Sequence, residues 1–226
     1  MAFDGGPGKS ARRPAQYGRY VLRRNVWWSV ATMIAVSMSG LLALAVGVRG
    51  VAAAVIAVAG LVAVLLVNRL VTPGLERRYR GVQGEEKVGA ILDGQASEGW
   101  LTVHDAWTGR GNIDHIAVGP GGLLAIETKS HRGKVAAERV SKAWLKQAYA
   151  ERKALEELVG APVDGLLVLS EAYILGEAVS RQRGVLVLPS RMLAGHLARR
   201  KPVYTPDEVV DLHTRVVRLL GSRAPL

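Results

Sequence analysis

The chain has 226 residues, a formal net charge of +11 and no cysteine. That length allows one or two domains, and the missing cysteine excludes disulfides, thiolate metal sites and a cysteine nucleophile. The charge is unevenly spread. Residues 81–226 carry 19 Lys/Arg against 17 Asp/Glu, whereas Arg49 is the one charged residue from Val26 to Val67. The basic excess therefore flanks an apolar run, and reads as membrane topology rather than as a nucleic-acid footprint.

In chain order, residues 1–25 are rich in Gly, Arg and Pro and read as a disordered basic segment. Gly8-Lys9-Ser10 has the ending of a phosphate-binding loop, but Phe3 stands where that loop needs its first glycine. Val26–Val67 would be roughly 63 Å long as one helix, about twice the hydrocarbon core of a bilayer, so the run must turn back. Gly47-Val48-Arg49-Gly50 supplies the break. The sequence thus predicts a transmembrane α-hairpin over 26–70, with spans near 26–48 and 51–70. A basic linker, 71–80, follows.

Basic clusters on both outer flanks predict cytoplasmic termini and a cytoplasmic soluble domain at the cell membrane. Trp27 and Trp28 fall where an interfacial aromatic belt would lie. Ser39, Ala43 and Gly47, with Ala53 and Ala57 opposite, have the small-residue spacing that lets two helices approach closely. No acid, Lys or His lies within either span, so the segment reads as an anchor and not as an ion pathway.

Residues 81–226 read as one α/β domain: a mixed sheet flanked by helices. A helix near 82–94, with Val88, Ile91 and Leu92 on one stripe, precedes strands at 101–106, 112–118 and 123–129. A short strand near 134–138 comes next, then a helix capped by Ser141 and running to about 159. Strands at 163–169 and 184–188 are apolar throughout, as strands covered on both faces tend to be. Helices near 190–199 and 206–220 close the chain.

The chemistry concentrates in Asn112–Val118 and Leu123–Lys129, joined by Gly119-Pro120-Gly121-Gly122 as a β-hairpin. If Val118 pairs with Leu123, the register sets Ile116 opposite Ala125 and Asp114 opposite Glu127, with Lys129 on the same face. Two carboxylates directly opposite each other repel, and folding alone gives no reason to place them there. A divalent cation would supply one, and oxygen ligands without sulfur suit Mg²⁺ or Mn²⁺. Lys129 beside it could orient the attacking water or stabilise charge on a phosphate; equally, it could simply neutralise the acid pair. On a helical wheel Glu85 flanks the inward stripe while Glu86 faces away, and Gln147 lies beside Trp144, Ala148 and Leu158 on a stripe read as buried. An inward-facing polar group needs a partner. The five histidines show no metal-ligand spacing, and His115 alternates away from Asp114.

Gly84-Glu85 with Val88 and Leu92, Gly111-Asn112-Ile113-Asp114-His115, Gly119–Gly122, and Ile126-Glu127-Thr128-Lys129 with Gly133 together resemble the NERD (nuclease-related) domain. That family is placed in the PD-(D/E)xK nuclease-like superfamily. The resemblance covers roughly 81–190 and implies a restriction-endonuclease-like core. It further implies Asp114 and Glu127 as metal ligands, Lys129 as the catalytic lysine, Glu85 as the helix-borne acid and Gln147 as the glutamine of the following helix. Ser130 and His131 replace the Asn and aromatic residue that often follow the lysine in that family. The functions compatible with this reading are a membrane-anchored, Mg²⁺- or Mn²⁺-dependent nuclease acting on DNA or RNA, a membrane-tethered nucleic-acid- or protein-binding domain that cleaves nothing, and a signalling adaptor.

Overall fold

The computed structural model describes residues 26–27, 30, 33–34, 36–38, 45, 50–131, 133–175 and 178–221. It divides into two units, Ala11–Arg80 and a domain over Gly81–Leu226. The basic segment 1–25, Trp28, the break at 47–49 and most of the expected span 26–48 lie outside the described residues, as do the side chains of Ala53 and Ala57.

Within the first unit, helix α1 (Gly50–Asp93) begins where the second span was expected. Gly60 sits so close to Val36 that a Cβ there would come within 2.7 Å of Val36 Cγ2, so the two apolar segments pack against each other. Along α1, Val55, Val58, Leu61, Val62, Leu65 and Leu66 are all exposed. Among the described residues no helix is long and apolar enough to cross a membrane. Residues 71–80, expected as a basic linker, are helical, and α1 runs unbroken to Asp93.

The domain is built on a six-stranded mixed sheet in the order β1-β2-β3-β5-β8-β7. Its strands are β1 (Leu101–Trp107), β2 (Asn112–Gly119), β3 (Gly122–Lys129), β5 (Val163–Leu169), β7 (Ser180–Gln182) and β8 (Val185–Pro189). β4 (Gly133–Ala136) and β6 (Ala172–Leu175) form a separate parallel pair. β1, β2 and β3 are antiparallel, while β3, β5 and β8 are parallel. Helix α2 (Lys142–Val159) makes the crossover from β3 to β5; Ser141 Oγ accepts the Ala143 N–H at its N-terminus, and Gly160 takes the left-handed conformation at its end. Every strand and helix expected in the domain is present. β6 and β7 were not foreseen, because three or four residues carry no readable alternation.

Alternation along the strands sorts the core into two layers. Ile116, Val118, Leu123 and Ala125 pack with Leu155 and Val159 of α2 and with Val209, Leu212, Val216 and Leu220 of α4 (Pro206–Gly221). Ala117, Leu124, Ile126, Leu166 and Val168 face the other way. They meet Val88 and Leu92 from the last turns of α1 and Leu193 and Leu197 from α3 (Leu193–Ala198). Both layers are needed to bury a sheet that is apolar on each side.

The β2–β3 hairpin that carries the chemistry is held by close packing at its turn. The observed register pairs Val118 with Leu123 and Ile116 with Ala125, as the sequence predicts, and Gly119 with Gly122. A Cβ on Gly119 would come within 2.3 Å of the buried Trp100 ring. Gly119→Ala should therefore overpack this corner and cost about 1–3 kcal/mol, read as a lowered melting temperature. An unchanged melting temperature would mean that Trp100 does not anchor the turn.

Candidate active site

Five carboxylates and one lysine converge at the open end of the β2–β3 hairpin. The ladder between the two strands ends at His115 and Ile126, and one further step in that register sets Asp114 opposite Glu127. There, the Asp114 carboxylate replaces a strand carbonyl, with its Oδ2 accepting the Thr128 N–H at 2.8 Å. Glu127 is 2% exposed. Lys129, two residues along the same face, ion-pairs with Glu127 Oε1 and donates to Gln147 Oε1 at 3.0 Å.

Two helices complete the cluster. From α2, Gln147 Nε2 donates to Glu151 Oε1 at 2.9 Å, so one amide bridges Lys129 to a third acid. The buried stripe of α2 is Leu145, Ala148, Glu151, Leu155 and Val159. This corrects the sequence expectation for Gln147: the side chain is exposed, because it stands one position off that stripe, at the rim of the site. From α1, Glu85 approaches over the ends of β3 and β5. Gly84 makes this possible, since a Cβ there would collide with Ser130 Oγ and Ser170 Oγ, and Lys87 Nζ fastens the same turn to the Ser170 carbonyl at 3.0 Å.

The fifth acid, Asp105, sits in β1 between the pairs His104–His115 and Ala106–Ile113. It holds a left-handed φ of 56°, which non-glycine residues adopt at a cost. Asn112 Nδ2 donates to its Oδ1. Sequence reading missed Asp105, whose role depends on that backbone kink, and Glu151. Glu151 did leave a signal, lying four residues after Gln147 and hence on the same side of α2.

Burial and crowding of like charge raise three carboxyls of the site, those of Glu151, Glu85 and Asp114. Glu151 is pushed up to about 9, first by burial and then by the charge of Glu127. Glu85 is pushed up to about 7 by burial, then by Asp105 and Glu127, with Lys129 opposing. Asp114 is raised well above the usual carboxylate range by burial, Glu127 and Glu85, against the Thr128 hydrogen bond. Glu127 Oε2 is buried with no hydrogen-bond donor in reach among the described residues. Burial and like charge thus favour the protonated forms of Glu151, Glu85 and Asp114.

Behind the hairpin, on the other face, lies a string of polar side chains. Asp93 Oδ1 accepts from Thr102 Oγ1 at 2.7 Å and lies 2.8 Å from His104 Nε2. His104 Nδ1 lies 2.8 Å from His115 Nδ1. Burial, then His104, lowers His115 to about 3, so it stays uncharged and serves as a fully buried packing group, as its alternation away from Asp114 predicts.

Chemically, the set fits a hard divalent cation: oxygen donors only, two carboxylates crowded together, and a buried oxygen without a protein donor. Among the described residues no group of three or more His, Asp or Glu is placed to hold a metal ion. Mg²⁺ commonly needs only one or two carboxylates, with water and phosphate filling the remaining positions. Residues 80–170 match the family model described as nuclease-related domain (NERD). The matched stretch contains all five residues singled out from sequence, together with Asp105 and Glu151. No curated protein and no solved structure matches the chain.

The raised carboxyls fix the sign of a pH effect. A group whose folded pKa lies above its unfolded value makes the folded state hold the extra proton, so stability falls as pH rises between the two values. For Glu151 that window runs from the ordinary carboxyl value of 4.5 to about 9. The melting temperature of the metal-free protein should decline across it, and Glu151→Gln should flatten the decline. Equal slopes in both proteins would mean that Glu151 is ionised in the fold.

Proposed function

We propose that the nuclease-related domain at residues 80–170 hydrolyses phosphodiester bonds of DNA or RNA, with Mg²⁺ or Mn²⁺ held by Asp114 and Glu127. The observation that carries this reading is the convergence of Asp114, Glu127 and Lys129 at one end of the hairpin. This crowding costs stability and has no structural purpose of its own. When bound, the cation would polarise a phosphate oxygen and acidify a water molecule.

The protein's own groups then divide the work. Lys129 holds a positive charge beside the position of the phosphate and stabilises the charge that develops on its oxygens. Gln147 positions Lys129 by accepting one of its hydrogens. Glu85, at about 7, can accept a proton near neutral pH, which is the requirement for a general base. The mixed sheet with helices on both faces supports the restriction-endonuclease-like assignment.

We further propose that residues 26–70 anchor this activity at the cell membrane, with both termini on the cytoplasmic side. Two features support it: the near-absence of charge from Val26 to Val67, and a continuous face of exposed apolar side chains along the first turns of α1, such as Val55 at 62% and Leu65 at 58%. An exposed apolar face of this length favours a nonaqueous surrounding.

The catalytic reading is tested with the full chain in detergent micelles. Millimolar Mg²⁺ or Mn²⁺ should raise the melting temperature and permit cleavage of labelled oligonucleotides. Asp114→Asn should abolish both effects without destabilising the metal-free fold. Lys129→Ala should keep the thermal shift while cleavage falls by orders of magnitude. A wild-type protein with neither shift nor cleavage would leave a tethered, silent binding domain in place of the enzyme. For the anchor, single-cysteine variants at Ser10 and Ser222 should resist membrane-impermeant thiol reagents in intact cells; labelling of either from outside overturns the topology.

A further inference from the structure

Beside the acid cluster, the β1–β2 turn and helix α2 enclose a groove of about 470 Å³, within the range of small-ligand pockets. Asn112, Gln147 and Glu151 line its inner end and Thr108, Arg110 and Lys153 line the rest. The inner end is therefore shared with the cluster: Gln147 bonds Lys129 and Glu151, and Asn112 bonds Asp105. Whatever occupies the groove lies directly against the reacting position.

The wall and rim have the chemistry of a nucleotide site. The turn is tied by Thr108, whose N–H and Oγ1 both donate to the Gly111 carbonyl, and a side chain at Gly111 would meet nothing within 4 Å. This leaves the wall open. Arg110 and Lys153 are held by the surface carboxylates Glu157 and Glu156. Exposed pairs of this kind contribute little, so a phosphate can take over both cations at small cost and with charge-assisted hydrogen bonds. Trp107, the direct cross-strand partner of Asn112, is 40% exposed and offers an indole face for base stacking. The volume admits one nucleotide but not a base pair with its two sugar-phosphates.

We infer that this groove is a subsite for one unpaired nucleotide adjoining the scissile phosphate, with Arg110 and Lys153 on its flanking phosphate, so that the protein selects single-stranded nucleic acid. The inference rests on the nuclease reading for the position of the scissile phosphate, but its test does not require turnover.

Binding of fluorescein-labelled dodecamers to the full chain is measured by anisotropy in Ca²⁺, in three arms: single-stranded DNA, single-stranded RNA and blunt duplex DNA. Single strands should bind at least tenfold tighter than duplex, and the two single-strand arms report which sugar the groove accepts. Arg110→Ala with Lys153→Ala should weaken single-strand binding about tenfold and reduce the salt slope by about 0.7, as expected when one flanking phosphate is no longer neutralised. Lys201→Ala removes a charge beyond the opposite end of β2 and should change neither. Equal affinity for duplex, an unchanged Kd in the double variant, or an equal loss in Lys201→Ala overturns the inference. Cleavage with an unchanged Kd leaves the nuclease reading standing without the subsite. Arg110-dependent single-strand binding without cleavage in Mg²⁺ does the reverse.

Discussion

The domain is organised around a repulsion that it does not relieve within its own walls. Asp114 and Glu127 are set opposite each other by the register of a hairpin, and that register is fixed elsewhere, by apolar pairs such as Ile116–Ala125 and Val118–Leu123. A one-residue slip would relieve the carboxylates but exchange the side chains that face the two core layers. Hydrophobic burial along eight residues of each strand therefore outweighs the electrostatic cost at its end. Lys129 neutralises part of the charge, and Glu151 and Glu85 absorb more by holding protons, at about 9 and about 7 respectively.

Around that constraint the remaining elements act as braces. Helix α2 brings Gln147 and Glu151 because it crosses from β3 to β5 on the face to which Glu127 points. Helix α1 brings Glu85 because Gly84 has no side chain to hold the helix away from the ends of β3 and β5. On the far face, the Asp93–His104–His115 string ties β1 and β2 to α1 through polar contacts, with His115 kept neutral by burial. Asp105, in a left-handed backbone conformation fastened by Asn112, is the point of local strain, and it lies at the site, where strain is commonly retained.

The domain and the N-terminal unit solve different solvation problems. In residues 81–226 the apolar side chains are gathered into two layers on either side of the sheet. In the N-terminal unit, the described apolar residues Val55, Val58, Leu61, Val62, Leu65 and Leu66 of α1 form an exposed face. This is why the net charge of +11 carries little information about the domain: most of the excess sits outside it.

Much of the domain follows from local rules. The hairpin register was readable because period-two alternation and a four-residue Gly/Pro turn leave one pairing that buries both faces. The length of α2 was readable from Ser141 and Gly160, and the inward stripe of α1 from Val88, Ile91 and Leu92. Asp114, Glu127 and Lys129 were legible together since all three lie within one hairpin, and the match to the family model covers that hairpin. Tertiary structure alone decided the rest. It recruited Glu151 through a crossover, kinked the backbone at Asp105 and placed Gln147 on the rim rather than in the core. It also paired β6 with β4 and β7 with β8, strands too short to carry a pattern, and extended α1 through the expected linker. Each of these depends on which distant surface an element meets, and the local sequence of that element holds no record of it.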